Sequence, residues 1–145
     1  MKQEILETLH HRPPYLQIED YEEIKEKKII IKKTLKKDTF YFAGHFPGAP
    51  IVPGAMMCEM LFQSSCLLLS KLQKQEGMAI GVVTKIKNAK FKGFLRPGDD
   101  ITLEVEVLAQ VGDQFQMKGV ILKGEAQVAV VTFNCANIPS EKLLS

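Results

Sequence analysis

One long apolar segment most constrains the fold of this chain. Nearly every residue of Ala55–Leu69 is apolar, yet the segment includes Glu59 and Gln63. An apolar run of about 15 residues that contains polar groups is too short to span a membrane, so a helix buried in a protein core is the better interpretation. We predict one long helix over Gly54–Gln75, with Gly77 as its stop.

The rest of the chain shows the pattern of an antiparallel sheet. Over Ile101–Val107, apolar and polar residues alternate with a period of two, which is typical of a strand with one buried face. Gly112-Asp113 and Gly124-Glu125 are spaced as hairpin turns. The predicted strands are Lys27–Leu35, Met78–Phe94, Ile101–Val111, Gln114–Lys123 and Ala126–Ala136. A buried helix wrapped by such a sheet belongs to the α+β class.

Composition sets the broad class of the protein. With 145 residues, 46% of them hydrophobic, we expect one domain over residues 1–145. A net charge of +2 gives no sign of a nucleic-acid partner. Cys58, Cys66 and Cys135 lack CxxC spacing and lie in apolar contexts, which predicts buried thiols in a reducing compartment. Since no signal-peptide pattern follows Met1, we expect a cytoplasmic protein with no membrane partner.

A histidine and a carboxylate flank the start of the helix. His45 lies in a loop punctuated by Gly and Pro, Phe40–Pro53, and Glu59 lies inside the apolar helix. A carboxylate in apolar surroundings is costly unless it has partners or a chemical role. Histidine can serve as a base near neutral pH, and a desolvated Glu can hold a proton to donate. The pair indicates acid/base chemistry on a hydrophobic substrate.

Several motifs resemble those of one enzyme family. The segment Gly44-His45-Phe46-Pro47-Gly48-x-Pro50-x-x-Pro53-Gly54, followed by Glu59 and Gln63, resembles the signature of the FabZ-type beta-hydroxyacyl-[acyl carrier protein] dehydratases. Leu9-x-His11-Arg12-x-Pro14-Tyr15-Leu16 resembles the N-terminal motif of that family. Ala89-Lys90-Phe91-Lys92, followed by Arg96-Pro97-Gly98-Asp99, resembles its later strand and turn. The resemblance covers most of the chain.

The resemblance implies a fold and a reaction. The fold is the hotdog fold, a long central helix wrapped by a curved antiparallel sheet. The reaction is dehydration of a beta-hydroxyacyl thioester on acyl carrier protein to a trans-2-enoyl thioester, in fatty-acid or specialised acyl-chain biosynthesis. By this resemblance, His45 takes the C2 proton and Glu59 protonates the leaving hydroxyl. No cofactor and no metal are implied.

Other residues receive supporting roles. The resemblance gives Gly54 the task of donating its N–H to the thioester oxygen, which suits a helix start where N–H groups are unpaired; packing is the alternative reason for this glycine. Gln63 lies one turn after Glu59 on the same face and could hold the carboxyl, or could satisfy loop backbone groups instead. Met56 and Met60 are expected to line an acyl tunnel.

Three basic residues and two histidines remain. Lys90, Lys92 and Arg96 form either a solvated face or a landing site for the acidic carrier protein. His10 and His11 show no spacing to Cys or carboxylates that suggests a metal site, so we expect both to be structural.

An assembly is also expected. An apolar helix needs more cover than one small sheet provides, and a single sheet leaves an edge strand. Hotdog proteins pair two sheets edge to edge in a two-fold dimer, and the dehydratases often gather three dimers. The resemblance therefore implies a homodimer or hexamer in which His45 of one chain faces Glu59 of the other.

Two alternatives belong to other functional classes. A hotdog acyl thioesterase would hydrolyse the thioester, but such enzymes generally place an Asp or Glu without the His-Phe-Pro-Gly loop. A non-catalytic module that binds acyl chains or carrier protein would be indicated by loss of His45 or Glu59, and both residues are present.

Overall fold

The computed structural model describes residues 3–73, 79–139 and 142. The elements in chain order are α1 (Gln3–Thr8), β1 (Glu23–Lys25), β2 (Lys28–Thr34), a 3₁₀ turn (Phe40–Ala43), α2 (Gly54–Leu72), β3 (Ala79–Phe91), β4 (Asp100–Val111), β5 (Gln114–Lys123) and β6 (Ala126–Pro139). The strands form one six-stranded sheet in the order β1-β2-β4-β5-β6-β3, with every neighbouring pair antiparallel. The long helix α2 packs against β2 to β6. The predicted α+β class is confirmed.

The helix α2 is buried around most of its circumference. Buried residues occur at nearly every position of the segment 57–69, and Met60 and Leu61 have no exposed surface. Burial on all faces is expected for a helix that is apolar all round. The helix ends earlier than predicted, because Gln73 already has extended backbone angles (φ −101°, ψ 105°). The predicted stop at Gly77 lies outside the described residues.

The strand pattern read from the sequence is confirmed in β4. Ile101, Leu103 and Val105 are buried, while the residues between them are half-exposed. The two predicted hairpins join β4 to β5 and β5 to β6. Their first turn residues, Gly112 and Gly124, have φ of 60° and 62°, which glycine adopts without steric cost. The sheet therefore offers α2 a continuous apolar face.

One strand is missing from the sequence prediction. β1 has three residues and pairs with β2 across a turn in which Glu26 takes a φ of 56°. Three residues are too few for an alternation of polar and apolar positions to stand out from a loop. β1 forms one edge of the sheet, and the 13-residue β3 forms the other.

The three cysteines of the chain are free thiols. Cys58 and Cys135 are buried, and Cys66 is half-buried. Burial raises the pKa of Cys66 to about 12 and that of Cys135 to about 11, so both remain protonated at neutral pH. No helix within the described ranges is both long enough and apolar enough to cross a lipid bilayer.

Close packing between α2 and the sheet can be tested at Gly119 of β5. A Cβ at this position would lie 3.0 Å from both Cδ atoms of Leu61. We expect Gly119→Ala to lower the free energy of unfolding by about 1–3 kcal/mol, because the helix must shift away from the sheet. Urea unfolding followed by circular dichroism measures this. Gly93→Ala is the control, since its Cβ would meet Val128 only at 3.8 Å; equal destabilisation of the two variants would contradict the tight contact.

Candidate active site

The loop before α2 fixes the tautomer of His45. The backbone N–H of His45 donates to the Tyr41 carbonyl at 3.0 Å, and its Nδ1 lies 2.9 Å from the Ile51 carbonyl oxygen. A carbonyl oxygen only accepts hydrogen bonds, so Nδ1 carries the proton of the neutral ring. Nε2 then has a free lone pair, which is the form that a general base requires.

The residue after His45 holds a strained backbone. Phe46 has a φ of 62°, in the left-handed region that bulky side chains rarely adopt. Its carbonyl accepts the Ala49 N–H at 2.8 Å, and its ring centroid lies 4.4 Å from that of His45. Strain of this kind persists only where the surroundings enforce it, and it is concentrated at functional sites.

Glu59 is held by a buried amide on the same helix. The Glu59 side chain is 16% exposed, and its Oε1 accepts a hydrogen bond from Gln63 Nε2 at 3.1 Å. The fully buried Gln63 also donates to the Tyr15 carbonyl at 3.1 Å and accepts the Gln17 N–H at 2.7 Å. Because a backbone N–H faces Gln63 Oε1, its NH₂ end must face the carboxylate. The contact with Glu59 and the satisfaction of loop backbone groups are both present.

The N-terminal segment brings two further side chains to Glu59. His11 Nε2 lies 3.8 Å from Glu59 Oε1. Burial lowers the pKa of His11 below its usual 6.5, and the Glu59 carboxylate partly offsets this shift. Burial also raises the pKa of Tyr15, and the nearby Glu59 raises it further.

Sequence reasoning did not place His11 or Tyr15 at the site. Each lies in a loop far along the chain from Glu59, so no spacing links them to the helix. The one sequence feature that could have linked these two residues to the site is that both belong to the N-terminal motif. We expected His11 to be structural only, whereas the structure places it beside Glu59.

Gly54 opens α2 directly after Pro53. The Pro53 carbonyl accepts hydrogen bonds from the N–H groups of Met56 and Met57, at 2.9 and 3.0 Å. The N–H of Gly54 precedes these donors and has no acceptor within the helix, at its positive end. A Cβ on Gly54 would lie 3.3 Å from the ring of Phe91, so packing also favours glycine here.

The two candidate catalytic side chains do not meet within the chain. In the part of the chain that the structure describes, no hydrogen bond or ion pair joins His45 to Glu59. His45 is bonded to the Ile51 carbonyl, whereas Glu59 is bonded to Gln63. Each group is therefore oriented separately, by its own local contacts.

The remaining predicted site residues divide into core and surface. Met60 is fully buried, and Met56 is half-buried against the core. Lys90, Lys92 and Arg96 are exposed. Among residues 3–73, 79–139 and 142, no group of three or more His, Cys, Asp or Glu side chains could hold a metal ion.

Comparison with known proteins identifies the family. The family model for ApeI-like proteins, described as ApeI dehydratase, matches residues 21–131. The 3-hydroxyacyl-[acyl-carrier-protein] dehydratase FabZ of Petrotoga mobilis is 36% identical over 118 residues, which are 81% of this chain and 84% of the relative. This chain belongs to the FabZ and ApeI-like dehydratase family. The resemblance found in the motifs is confirmed.

Solved structures of other proteins share the fold. The dehydratase heterocomplex ApeI:P from Xenorhabdus doucetiae matches with a TM-score of 0.81 at 16% identity, over 97% of this chain and 94% of that one. A hypothetical thioesterase with coenzyme A from Streptococcus pneumoniae TIGR4 matches with a TM-score of 0.65 at 16% identity, over 83% and 85%. The hotdog fold is confirmed. Because dehydratases and thioesterases share it, the fold alone does not assign the reaction.

The role of the Gln63 amide in the fold can be tested by removing it. Gln63→Leu leaves the buried N–H of Gln17 without an acceptor, so we expect the free energy of unfolding to fall by about 1–3 kcal/mol. Gln116→Leu, on the outer face of β5, is the control and should change it by less than about 0.5 kcal/mol. Urea unfolding of both proteins at pH 7 makes the comparison. If Gln63→Leu is as stable as the control, the amide does not hold the N-terminal segment to α2.

Proposed function

We propose that this protein dehydrates 3-hydroxyacyl thioesters carried by an acyl carrier protein to trans-2-enoyl thioesters, in the biosynthesis of fatty acids or of specialised acyl chains. The observation that carries the proposal is the presence, in a chain of this family, of the two ionisable groups that the reaction needs. In the neutral tautomer that the Ile51 carbonyl selects, His45 has a free lone pair on Nε2, and Glu59 is a little-exposed carboxyl on an apolar helix.

The reaction needs a base, an acid and a stabiliser of negative charge. In our proposal, Nε2 of His45 removes the C2 proton, and the Gly54 N–H stabilises the charge that develops on the thioester oxygen. Glu59 gives its proton to the C3 hydroxyl, which leaves as water while the C2–C3 double bond forms. Gln63 keeps the carboxyl in place during the transfer. In the same proposal, Met56 and Met60 line a channel that takes the acyl chain.

The carrier protein is the proposed partner for the exposed basic residues. Lys90 lies near the end of β3 and Lys92 directly after it, and Arg96 follows with its guanidinium 5.8 Å from the ring centroid of Phe94. Cations on an exposed surface would attract an acidic carrier and act mainly on the rate of association. We place the reaction in the cytoplasm, which agrees with the three free thiols.

The catalytic assignment is tested by two substitutions. We expect His45→Ala and Glu59→Gln each to lower kcat by about 10²–10⁴-fold, because each removes one proton-transfer group. Hydration of a crotonyl thioester, the reverse reaction, is followed by absorbance. Glu7→Gln, at an exposed position of α1, is the control.

Two outcomes would contradict this assignment. A folded His45→Ala or Glu59→Gln protein with wild-type turnover would remove that residue from the mechanism. A wild-type protein that releases free thiol without hydrating the double bond would be a thioesterase. Circular dichroism and thermal unfolding verify that the variants are folded.

We further propose that one site takes His45 and Glu59 from two chains of a homodimer. Three observations support this: no hydrogen bond or ion pair joins the two side chains among the described residues, β3 is a long edge strand, and its Ile86 and Phe91 are 51% and 48% exposed. A long edge with apolar side chains favours pairing with another strand. Edge-to-edge pairing of two β3 strands is the proposed dimer contact, and three such dimers would form the hexamer that the family resemblance implies.

Subunit mixing tests the shared site. We expect an inactive His45→Ala protein and an inactive Glu59→Gln protein to regain activity after subunit exchange. In a mixed dimer both lesions fall in one site, so the other site has intact His45 and Glu59. Exchange is verified by native mass spectrometry. Confirmed exchange without any return of activity would show that each site lies within a single chain.

A further inference from the structure

Glu59 Oε1 faces two side chains that can donate an N–H, and the second of them has no assigned role. We propose that His11 is a positioning residue for the acid: together with Gln63 it keeps Glu59 Oε1 as a hydrogen-bond acceptor, so that the proton to be transferred resides on Oε2. The inference rests on the proposed dehydratase function and adds a residue to it.

The geometry around the carboxyl carries the inference. Gln63 Nε2 lies 3.1 Å from Glu59 Oε1, and His11 Nε2 lies 3.8 Å from the same oxygen. The second distance exceeds that of a hydrogen bond, but contacts at catalytic groups commonly shorten when substrate binds. An oxygen approached by two donors is a poor place for a proton. Oε2 is therefore the oxygen that presents the proton to the substrate.

The other ring nitrogen of His11 supports this orientation. His11 Nδ1 is buried and has no hydrogen-bond partner among the described residues. With nothing to bind at Nδ1, the neutral ring gains most by carrying its proton on Nε2, where it faces the carboxyl. Because burial lowers its pKa, His11 is neutral at pH 7 and acts as a donor without a charge.

The ring of His11 is held on both sides along the chain. On the N-terminal side of His11, the chain is held by the guanidinium of Arg12, which folds back and donates to the backbone carbonyls of Leu6 and Leu9 at 2.9 and 2.6 Å. After it, Lys33 Nζ donates to the Gln17 carbonyl at 2.5 Å. The ring also stacks on Tyr15, with centroids 6.2 Å apart and planes at 19°. A group fixed in this way can set the geometry of a neighbouring acid.

The surrounding groups set the direction of the expected pH effect. The titratable and charged groups that face the His11–Glu59 pair are Tyr15, Cys58, Cys66, His10 and Arg12. Burial raises the pKa of both thiols, so they are neutral and do not compete with His11 as charged partners. A donor favours the carboxylate over the carboxylic acid. Loss of the His11 N–H therefore removes one interaction that favours the ionised form, and we expect a limb of the pH–rate profile to respond.

Two substitutions of His11 distinguish the effect of its N–H donor from the effect of its aromatic ring. His11→Phe keeps the ring stacked on Tyr15 and removes the N–H, whereas His11→Gln keeps an amide N–H near the position of Nε2. We expect kcat of His11→Phe to fall about tenfold with little change in KM, and one limb of its pH–rate profile to move up by about half a pH unit or more. His11→Gln should stay within about twofold of wild type, with the wild-type profile. His10→Phe, at the exposed neighbouring position, is the control.

The results can overturn the proposal in two ways. A folded His11→Phe protein with the wild-type pH–rate profile would overturn the proposal whatever its kcat. A purely structural defect lowers the rate without shifting either limb of that profile. The proposal would also fail if His11→Gln lost as much kcat as His11→Phe and showed the same shifted pH–rate profile, because restoring an N–H donor would then have no effect.

A second measurement does not depend on the folding of these variants. NMR titration of the His11 ring in the wild-type and Glu59→Gln proteins should show a lower pKa of His11 in the variant, because the charge that raises it is gone. An identical titration would overturn the coupling of His11 to Glu59. If the wild-type protein shows neither dehydration nor hydration, the proposed function falls, and the NMR comparison still decides whether the two side chains are coupled.

Discussion

The structure depends on covering a helix that is apolar on nearly all sides. A sheet can cover one face of α2, and the chain must supply the remaining cover from segments without regular structure. Those segments bring backbone N–H and carbonyl groups into a dry environment, where each must find a partner. Gln63 meets that requirement for residues 15 and 17. Glu59 is enclosed by the same cover, so its polar neighbours are the groups that the cover provides.

The His45 loop answers a different requirement. An imidazole that is to act as a base must present one nitrogen with a lone pair, and the Ile51 carbonyl favours this in His45 by accepting a hydrogen bond from the N–H of the other nitrogen. The positive φ of Phe46 lies in a turn of this loop, where the Phe46 carbonyl accepts the Ala49 N–H. His45 and Glu59 are thus oriented by unrelated means, one by a strained loop and the other by a buried donor.

The sequence predicted the parts of the fold that leave a periodic signal. Burial of one face of β4 makes Ile101, Leu103 and Val105 alternate with polar residues, and the Gly-containing pairs mark the hairpins. The His45 loop and Glu59 stood out because their residue types are unusual where they occur. The bond between Gln63 and Glu59 followed from helical spacing.

Contacts between distant segments could not be predicted in the same way. β1 is too short to show alternation, and the end of α2 at Leu72 depends on local backbone that no strong breaker marks. His11 and Tyr15 reach Glu59 only because the N-terminal segment folds over α2. Neither hydrophobic periodicity nor capping signals describe such packing of a loop against a helix.

The N-terminal segment also sets how far the functional unit extends. A chain shortened to begin at β1 would retain all six strands and the long helix. It would lose the acceptor and donor groups that Gln63 binds, together with the imidazole beside Glu59. A fragment designed from the regular secondary structure alone would keep the hotdog architecture and expose the Glu59 carboxyl to water. For this chain, the boundary suited to expression and to engineering lies before α1, ahead of every residue that touches the carboxyl.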